Sequence, residues 1–341
     1  LCQYHGQTAR HFLTSSRNPI PLGGTPTEGP VHEGHPPTGT TASGDLNSVA
    51  MEDTKLGFIG LGNMGKPMAH HLAASGLDLC VFDAAGTSER APEGAQVASS
   101  VSHVASVADP IILSLPDGNT VKKVVQEIID HPGAVAHTVV DTSTIGVQAA
   151  RAAYRTLLDA GFEYIDAPVS GGVAGAEAAT IALMFAGSET AFKRLSSTLA
   201  PMCGHLLHVG TKAGQGQAMK VLNNFLSGTA MVATSEAIAF GLTQDLDMER
   251  MLQVLNVSSG VNSATRDKFP TRVLTGTFDG GFAARLMLKD ISLYLESVKG
   301  AGTADDVASV VFKKWSDLRD AEPEADFTRI YPLIAGGSEE D

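Results

Sequence analysis

The sequence predicts an α/β fold, in which a doubly wound parallel sheet is followed by an all-α C-terminal domain and joined to it by a long interdomain helix. From Lys55 onward, short apolar runs alternate with helix-length segments, a pattern typical of βαβ units in a parallel sheet. A weakly charged run of helix length follows, and the segments after it carry only helical periodicity. We therefore expect a sheet domain at 54–212, the interdomain helix at 213–241, a helical domain at 242–335 and a tail at 336–341.

Residues 1–53 differ from the rest of the chain, because they are rich in Gly, Pro, Ser, Thr and His and poor in aliphatic side chains. Such a segment buries too little apolar surface to offset its ordering entropy, so a disordered leader is predicted. The first 27 residues contain Arg10 and Arg17 and no acidic residue, a composition that is also found in organellar presequences. The alternative is a leader before a natural start at Met51. We expect a cytoplasmic protein, or a mitochondrial one if residues 1–50 are a genuine presequence.

Length and charge limit the function classes. The 341 residues suffice for two domains with full cores, and the formal net charge is −13. This charge repels nucleic acid and anionic membranes, so a small-molecule partner is expected. Cys2, Cys80 and Cys203 are widely spaced, which predicts neither a disulfide framework nor a metal site and favours a reducing compartment. No uninterrupted apolar run reaches about 20 residues, the length of a spanning helix.

The first predicted strand, KLGFIG, leads directly into LGNMGKPMAHHLAASG, a helix predicted to end at Gly76, and then into a second strand, LDLCVFD, that ends at Asp83. The turn between the first strand and the helix fits G-x-G-x-x-G. Its first glycine allows a tight turn, the second a close backbone approach to a pyrophosphate, and the third close packing of helix on strand. A Rossmann-type dinucleotide site is predicted at this turn, comprising Gly60, Leu61, Gly62, Asn63, Met64 and Gly65.

Asp83 lies 18 residues beyond Gly65, where a carboxylate can accept hydrogen bonds from ribose hydroxyls. The same charge repels a 2′-phosphate, and Ala84 and Ala85 follow instead of an arginine. NAD is therefore the expected cofactor. Arg90 is close enough in sequence that NADP is not excluded.

The alternation continues through a strand and loop at 111–118, helices at 119–130 and about 146–160, a strand and loop at 138–144, and EYIDAPVSGG. Ligands of doubly wound sheets bind beyond the carboxyl ends of the strands. Three loops lie at such ends: Leu115–Pro116, Ser143–Thr144 and Ser170–Gly171–Gly172. Each taken singly could be an ordinary loop.

The predicted interdomain helix carries one charged residue, Lys220, between Lys212 and Glu236. At 100° per residue, Gly216, Lys220, Asn223 and Asn224 lie within about 100° of arc. A solvated face of this length usually carries several charges, so this face is predicted to line a cleft. Lys220, its pKa depressed, could exchange a proton with a substrate hydroxyl, and Asn224 could hold it. Ser170 and the amides of Gly171 and Gly172 could bind a substrate carboxylate.

Four motifs carry a family resemblance. In this order and spacing, FIGLGNMGKPMAHHL, DAPVSGGVAGAEAAT, GQGQAMKVLNN and FDGGFAARLMLKDISLYLE resemble the β-hydroxyacid dehydrogenase family, which includes 3-hydroxyisobutyrate dehydrogenase, over about residues 55–334. The resemblance assigns Lys220 and Asn224 to catalysis, and Ser170, Gly171 and Gly172 to the substrate carboxylate. It assigns cofactor contacts to Leu115, Pro116, Thr144 and Lys289, and to Asn119 or Thr120. Taken alone, Lys289 beside Asp290 reads as a surface ion pair.

The expected activity is interconversion of a short-chain 3-hydroxy acid and its semialdehyde by hydride transfer to or from NAD(P). The alternatives are an NADPH-dependent reductase of a short semialdehyde or glyoxylate, and a nucleotide-binding scaffold without catalysis. The resemblance also implies a homodimer or homotetramer.

Overall fold

The computed structural model describes residues 55–336 of the chain. The predicted leader and residues 337–341 of the predicted tail lie outside these residues. The described part begins with a sheet that carries helices on both faces and continues as packed helices.

Nine strands form one sheet within residues 55–336. They are β1 Lys55–Ile59, β2 Leu79–Phe82, β3 Gln96–Val97, β4 Ala108–Leu113, β5 Thr138–Asp141, β6 Glu163–Asp166, β7 Val169–Ser170, β8 Ala182–Ala186 and β9 His205–Gly210. The α-helices are α1 Gly65–Ala74, α2 Val101–Ala105, α3 Gly118–Ile129, α4 Val147–Asp159, α5 Gly172–Glu177, α6 Glu189–Leu199, α7 Gln215–Leu242, α8 Met248–Asn256, α9 Ala284–Ala301, α10 Asp306–Ala321 and α11 Ile330–Ala335. A π-helix spans Ala264–Val273, and short 3₁₀ helices span Ala200–Met202 and Phe327–Arg329.

The strand order is β3-β2-β1-β4-β5-β6-β8-β7, and β9 pairs with β8. The six strands from β3 to β6 in this order are parallel, which confirms the predicted doubly wound sheet. Because the chain leaves β1 toward β2 on one side and later returns to β4 on the other, the topological switch point lies between β1 and β4. The predicted glycine turn follows β1 directly, so the fold places it at this crevice.

The far edge of the sheet departs from an all-parallel arrangement. Strand β8 is antiparallel to β6, and β7 is antiparallel to β8, while β9 runs parallel to β8. The sheet is therefore parallel from β3 to β6 and mixed at the edge that carries Ser170.

Alternating side chains of the strands fill two cores, one on each face of the sheet. Phe58 and Ile112 point into one core, and their neighbours Ile59 and Ile111 point into the other, as the two-residue period of a strand requires. A third core lies among the helices that follow and surrounds the fully buried Trp315. This helical core confirms the predicted all-α C-terminal domain.

Helix α7 joins the sheet to the helical part and packs against both. Its 28 residues correspond to about 42 Å of helix. Among the described residues it is the one helix long and apolar enough to cross a membrane by length and composition, criteria that the core helix of a folded protein also meets. Its polar stripe is buried: Gln217, Lys220 and Asn224 are all in the interior.

The start of α7 lies against the sheet with no room for a side chain at Gly216. A Cβ at this position would lie 2.7 Å from Asp166 O and 2.8 Å from Met184 O. Because both neighbours are backbone atoms, an added methyl group must push the helix away from the sheet.

We predict that Gly216→Ala destabilises the fold by about 1–3 kcal/mol, the usual cost of overpacking. Gly300→Ala is the matched control, since Gly300 lies in α9 with no atom within 4 Å of an added Cβ, and it should stabilise by up to about 1 kcal/mol through helix propensity. Urea denaturation of both variants measures the difference. Equal stability of the two variants would contradict the close packing at Gly216.

Candidate active site

The glycine turn after β1 is closely packed on one side and open on another. Gly60 has a φ of +99°, and a Cβ at Gly65 would lie 1.9 Å from Gly60 O, whereas a Cβ at Gly62 would meet no atom within 4 Å. Helix α1 (Gly65–Ala74) begins with no side-chain cap, and its first turn contains no acidic residue. The positive end of this helix dipole therefore faces no carboxylate of its own first turn and lies beside an open glycine, an arrangement that fits a pyrophosphate.

The residues between these glycines differ in exposure. Asn63 is exposed and Met64 half-buried, but Leu61 is buried in the core. The amide of Leu61 donates to Asp83 Oδ2 at 2.6 Å. Leu61 thus shapes the turn and ties it to β2, and a direct cofactor contact by Leu61 stays a prediction.

Asp83 lies at the end of β2, as the sequence predicts for a ribose-binding carboxylate. Its Oδ1 accepts from Ala85 N at 2.8 Å and lies 3.2 Å from Arg90 Nη1. Arg90 is thus the salt-bridge partner of the carboxylate that is expected to select the cofactor. A cation at this position would attract a 2′-phosphate, and the carboxylate would repel it.

The loops after β4 and β5 meet beside the glycine turn. Leu115 N donates to Ser143 Oγ at 2.8 Å, and Pro116 is exposed. Thr120 lies in the first turn of α3, where its amide and its hydroxyl both donate to Asp117 Oδ1, at 2.8 and 3.1 Å. The capping role occupies the Thr120 hydroxyl donor, so the exposed Asn119 remains the alternative for a cofactor contact at this loop.

Lys289 reaches from α9 to the loop after β5. Its Nζ donates to Thr144 O at 2.7 Å and lies 3.2 Å from Asp290 Oδ1. Lys289 is partly exposed, but the Asp290 side chain is only 4% exposed. The simple interpretation of these two residues as a surface ion pair is therefore wrong for Asp290.

Lys220 is 8% exposed, and its Nζ donates to Asn224 Oδ1 at 3.3 Å. Burial lowers the pKa of Lys220 below the ordinary lysine value, Asp290 raises it, and Lys289 lowers it further. The predicted depression of the pKa is thus confirmed, and its main cause is desolvation of the ammonium group. A lysine with a lowered pKa releases its proton more readily than a free lysine, which suits a group that must both give up and take up a proton.

The side-chain amide of Asn224 is oriented by Asp290. Asn224 Nδ2 donates to Asp290 Oδ2 at 2.5 Å, and an ionised carboxylate only accepts. The NH₂ group of Asn224 must then face Asp290, so that the Asn224 Oδ1 atom faces Lys220. Asp290 was missed by sequence reasoning, because the sequence does not show which side of α9 faces α7.

Asn223 connects this lysine cluster to the predicted carboxylate-binding loop. Its Nδ2 lies 3.4 Å from Ser170 Oγ and 3.1 Å from Asn224 Oδ1. Ser170 ends β7, and Gly171 and Gly172 follow it with φ of +138° and +66°. The structure thus brings Lys220, Asn224 and Ser170 together. Asn223 was not proposed for the site, although it lay on the predicted face of the helix.

The chain was compared with protein families and with individual proteins. Residues 55–210 match the NAD-binding domain of 6-phosphogluconate dehydrogenase, and residues 214–334 match the NAD-binding domain of NADP-dependent 3-hydroxyisobutyrate dehydrogenase. The chain is 36% identical over 253 residues to 2-(hydroxymethyl)glutarate dehydrogenase of Eubacterium barkeri, covering 72% of this chain and 82% of that protein.

Two further proteins are similar over most of their length. 3-Hydroxyisobutyrate dehydrogenase of Pseudomonas aeruginosa is 33% identical over 302 residues, or 83% of this chain and 99% of that protein. The structure of Mycobacterium tuberculosis 3-hydroxyisobutyrate dehydrogenase with L-serine matches with a TM-score of 0.77 and 30% identity, covering 83% of this chain and 99% of that one.

We predict that Asp290→Asn lowers kcat/KM by about 10- to 100-fold, the effect of losing a charge-assisted hydrogen bond of about 1.5–3 kcal/mol. Loss of the negative charge favours neutral Lys220, so the inflection of the pH profile that reports Lys220 should move to lower pH.

Steady-state rates across pH in both reaction directions measure this change. Asp317→Asn, which removes an exposed carboxylate paired with Lys313, is the control and should change neither quantity. An Asp290→Asn variant with full activity and an unmoved inflection would contradict the role of Asp290.

Proposed function

The chain belongs to the β-hydroxyacid dehydrogenase family and is an NAD(P)-dependent hydroxyacid dehydrogenase, and we propose that Lys220 is its general acid and base. The observation that carries this proposal is the buried Lys220 ammonium group, held by Asn224 Oδ1. The substrate we propose is a short-chain 3-hydroxy acid, which the enzyme interconverts with its semialdehyde.

The hydride chemistry belongs to the nicotinamide cofactor, and the protein must move the accompanying proton. In oxidation, neutral Lys220 takes the proton from the substrate hydroxyl. In reduction, protonated Lys220 returns the proton to the carbonyl oxygen. Because burial lowers the pKa of Lys220, the neutral form that acts as the base is reached at a lower pH than for a free lysine.

The substrate carboxylate is proposed to bind at Ser170 and at the amides of Gly171 and Gly172. Gly171 and Gly172 form a turn with positive φ, and successive N–H groups in a turn are a common anion-binding concavity. Asn223 donates to Ser170 Oγ, so the serine hydroxyl hydrogen is free to point at a carboxylate. Asn223 lies about one helical turn after Lys220. The helix thereby sets the spacing between the proton donor Lys220 and the Ser170 loop that anchors the carboxylate.

The names of the relatives indicate a common substrate fragment. 3-Hydroxyisobutyrate, 2-(hydroxymethyl)glutarate and L-serine all carry a hydroxymethyl group on the carbon that bears a carboxylate. We propose 2-substituted 3-hydroxypropanoates as the substrate class of this chain. A panel of these three acids and the corresponding semialdehydes, followed by nicotinamide absorbance, identifies the preferred substituent.

We also propose that the chain assembles with a second copy of itself. One face of α7 exposes apolar side chains near both ends of the helix, with Met219 and Leu222 at 37% and 36% exposure and Leu226 and Phe240 at 61% and 67%. A subunit contact would cover this face. The mass of the folded protein in solution measures the number of copies.

Lys220→Ala should lower turnover by about 10²- to 10⁴-fold, the usual contribution of general acid–base catalysis. In the unmodified enzyme, kcat/KM for oxidation should rise with pH through the pKa of Lys220, because the neutral amine is the base, and kcat/KM for reduction should fall over the same interval.

Lys313→Ala, which removes a lysine 74% exposed at its side chain, is the control and should leave turnover unchanged. Near-normal turnover of Lys220→Ala would remove Lys220 from the mechanism.

The Asp83 carboxylate predicts a higher kcat/KM with NAD than with NADP. Arg90→Ala should widen this preference, since it removes the cation nearest to Asp83, and Asp83→Ala should narrow or reverse it. Rates with both cofactors at saturating substrate measure the ratio. Equal efficiency with NAD and NADP in the unmodified enzyme would contradict the selection by Asp83.

A further inference from the structure

Gln217 lies in the first turn of α7, three residues before Lys220, and is completely buried. Its Oε1 accepts from Ile145 N at 2.9 Å and from Gly146 N at 3.0 Å. Its Nε2 donates to Ser143 O at 2.9 Å and to Asp166 Oδ1 at 3.0 Å. An amide side chain has two donor hydrogens and two acceptor lone pairs, so every hydrogen-bonding position of Gln217 is used.

Three of these four partners belong to the loop after β5. Ser143 precedes Thr144, and Ile145 and Gly146 follow it, so the Gln217 amide holds Thr144 from both sides. The carbonyl oxygen of Thr144 is also the acceptor for Lys289. The loop that the family resemblance assigns to the cofactor is therefore fixed by a side chain of the helix that carries Lys220.

The fourth partner, Asp166, anchors the start of the same helix. Asp166 Oδ2 accepts from Gly214 N at 2.8 Å and from Gln217 N at 3.1 Å, whereas the N-cap residue Gly214 makes no side-chain cap bond. A carboxylate from the end of β6 thus takes the place of a local cap, and its negative charge interacts favourably with the positive end of the helix dipole. It also fixes which way the Gln217 amide points, because only Nε2 can donate to it.

We propose that Gln217 is a positioning residue for proton and hydride transfer, which holds the Thr144 loop and Lys220 in one fixed relative position. This inference rests on the proposed function of Lys220. Close packing of Gly216 on Asp166 O and Met184 O already holds α7 to the sheet. The contribution of Gln217 is the link between the helix and the loop, and a displacement of about 1 Å at such a link can cost 10²-fold in rate.

The test begins with Gln217→Glu, which keeps the shape of the side chain and its acceptor toward Ile145 and Gly146. It replaces both Nε2 donor bonds with a carboxylate oxygen that faces Ser143 O and Asp166. We expect kcat to fall about 10- to 100-fold, and the dissociation constant of the dinucleotide, measured by calorimetry, to rise at least about fivefold. Gln126→Glu is the control, because Gln126 donates to Asp130 from the exposed face of α3, and it should change neither quantity.

A second variant separates positioning from folding. In Gln217→Glu with Asp166→Asn, the donor and the acceptor are exchanged, since the amide nitrogen introduced by Asp166→Asn can donate to the new carboxylate while the amide oxygen faces the two backbone N–H groups. This pair should recover part of both kcat and dinucleotide affinity. Lower thermal stability in Gln217→Glu, with unchanged kcat and unchanged dinucleotide affinity at 25 °C, would reduce Gln217 to a structural residue and overturn the proposal.

A double-mutant cycle with Lys220→Ala tests whether the kcat effect passes through the lysine. Gln217→Glu should lower the residual rate of Lys220→Ala by a smaller factor than it lowers the rate of the unmodified enzyme, because only the part of the loss that passes through the loop remains, and an equal loss in both backgrounds would overturn positioning of Lys220. If Lys220→Ala retains turnover, the proposed function fails. Weaker dinucleotide binding by Gln217→Glu would still show that Gln217 positions the Thr144 loop.

Discussion

The buried contact of Lys220 with Asn224 and Asp290 is the constraint that the rest of the site depends on. An ammonium group taken out of water is costly, and the cost is reduced when a carboxylate lies nearby and the remaining polar atoms are paired. Here the carboxylate does not contact the lysine directly but orients the amide that does. Lys220 and Asn224 belong to α7 and Asp290 to α9, so this contact requires the two helices to remain packed together. Met287 and Ile291 of α9 lie in the helical core beside Met231 of α7, which supplies that rigidity.

The sheet contributes the other half of the site through the ends of its parallel strands. The turn after β1 and the loops after β4 and β5 meet because the switch point lies between β1 and β4. Two helices then reach these ends from the helical part: α9 through Lys289 and α7 through Gln217. The loop after β5 is thus hydrogen-bonded to both helices, one of which carries Lys220.

The sequence alone predicted the parts of the fold that leave a local signal. Each of these signals, a periodicity or a spacing, lies within one short segment: this holds for the glycine turn, Asp83, the parallel strands and the lysine helix. Strands β8 and β9 were not predicted, because the antiparallel pairing of β8 with β6 depends on distant segments. The π-helix around Pro270 was also missed, since proline normally ends a helical prediction. At the site, Asp290 and Gln217 were missed for a common reason: their importance lies in partners 66 and up to 74 residues away along the chain.

Helix α7 also shows why hydropathy alone misjudges such a site. An ordinary surface helix buries its apolar face and exposes its polar one, but α7 buries Gln217, Lys220 and Asn224 and exposes Leu226 and Phe240. The polar stripe has to be dry, because water around Lys220 would restore the ordinary lysine pKa and weaken the hold of Asn224 on the amine. The apolar residues then occupy the side that the sheet and α9 do not cover. Helix α7 therefore keeps Lys220 out of water on one side and leaves apolar side chains exposed on another, the face that a second copy of the chain is proposed to cover.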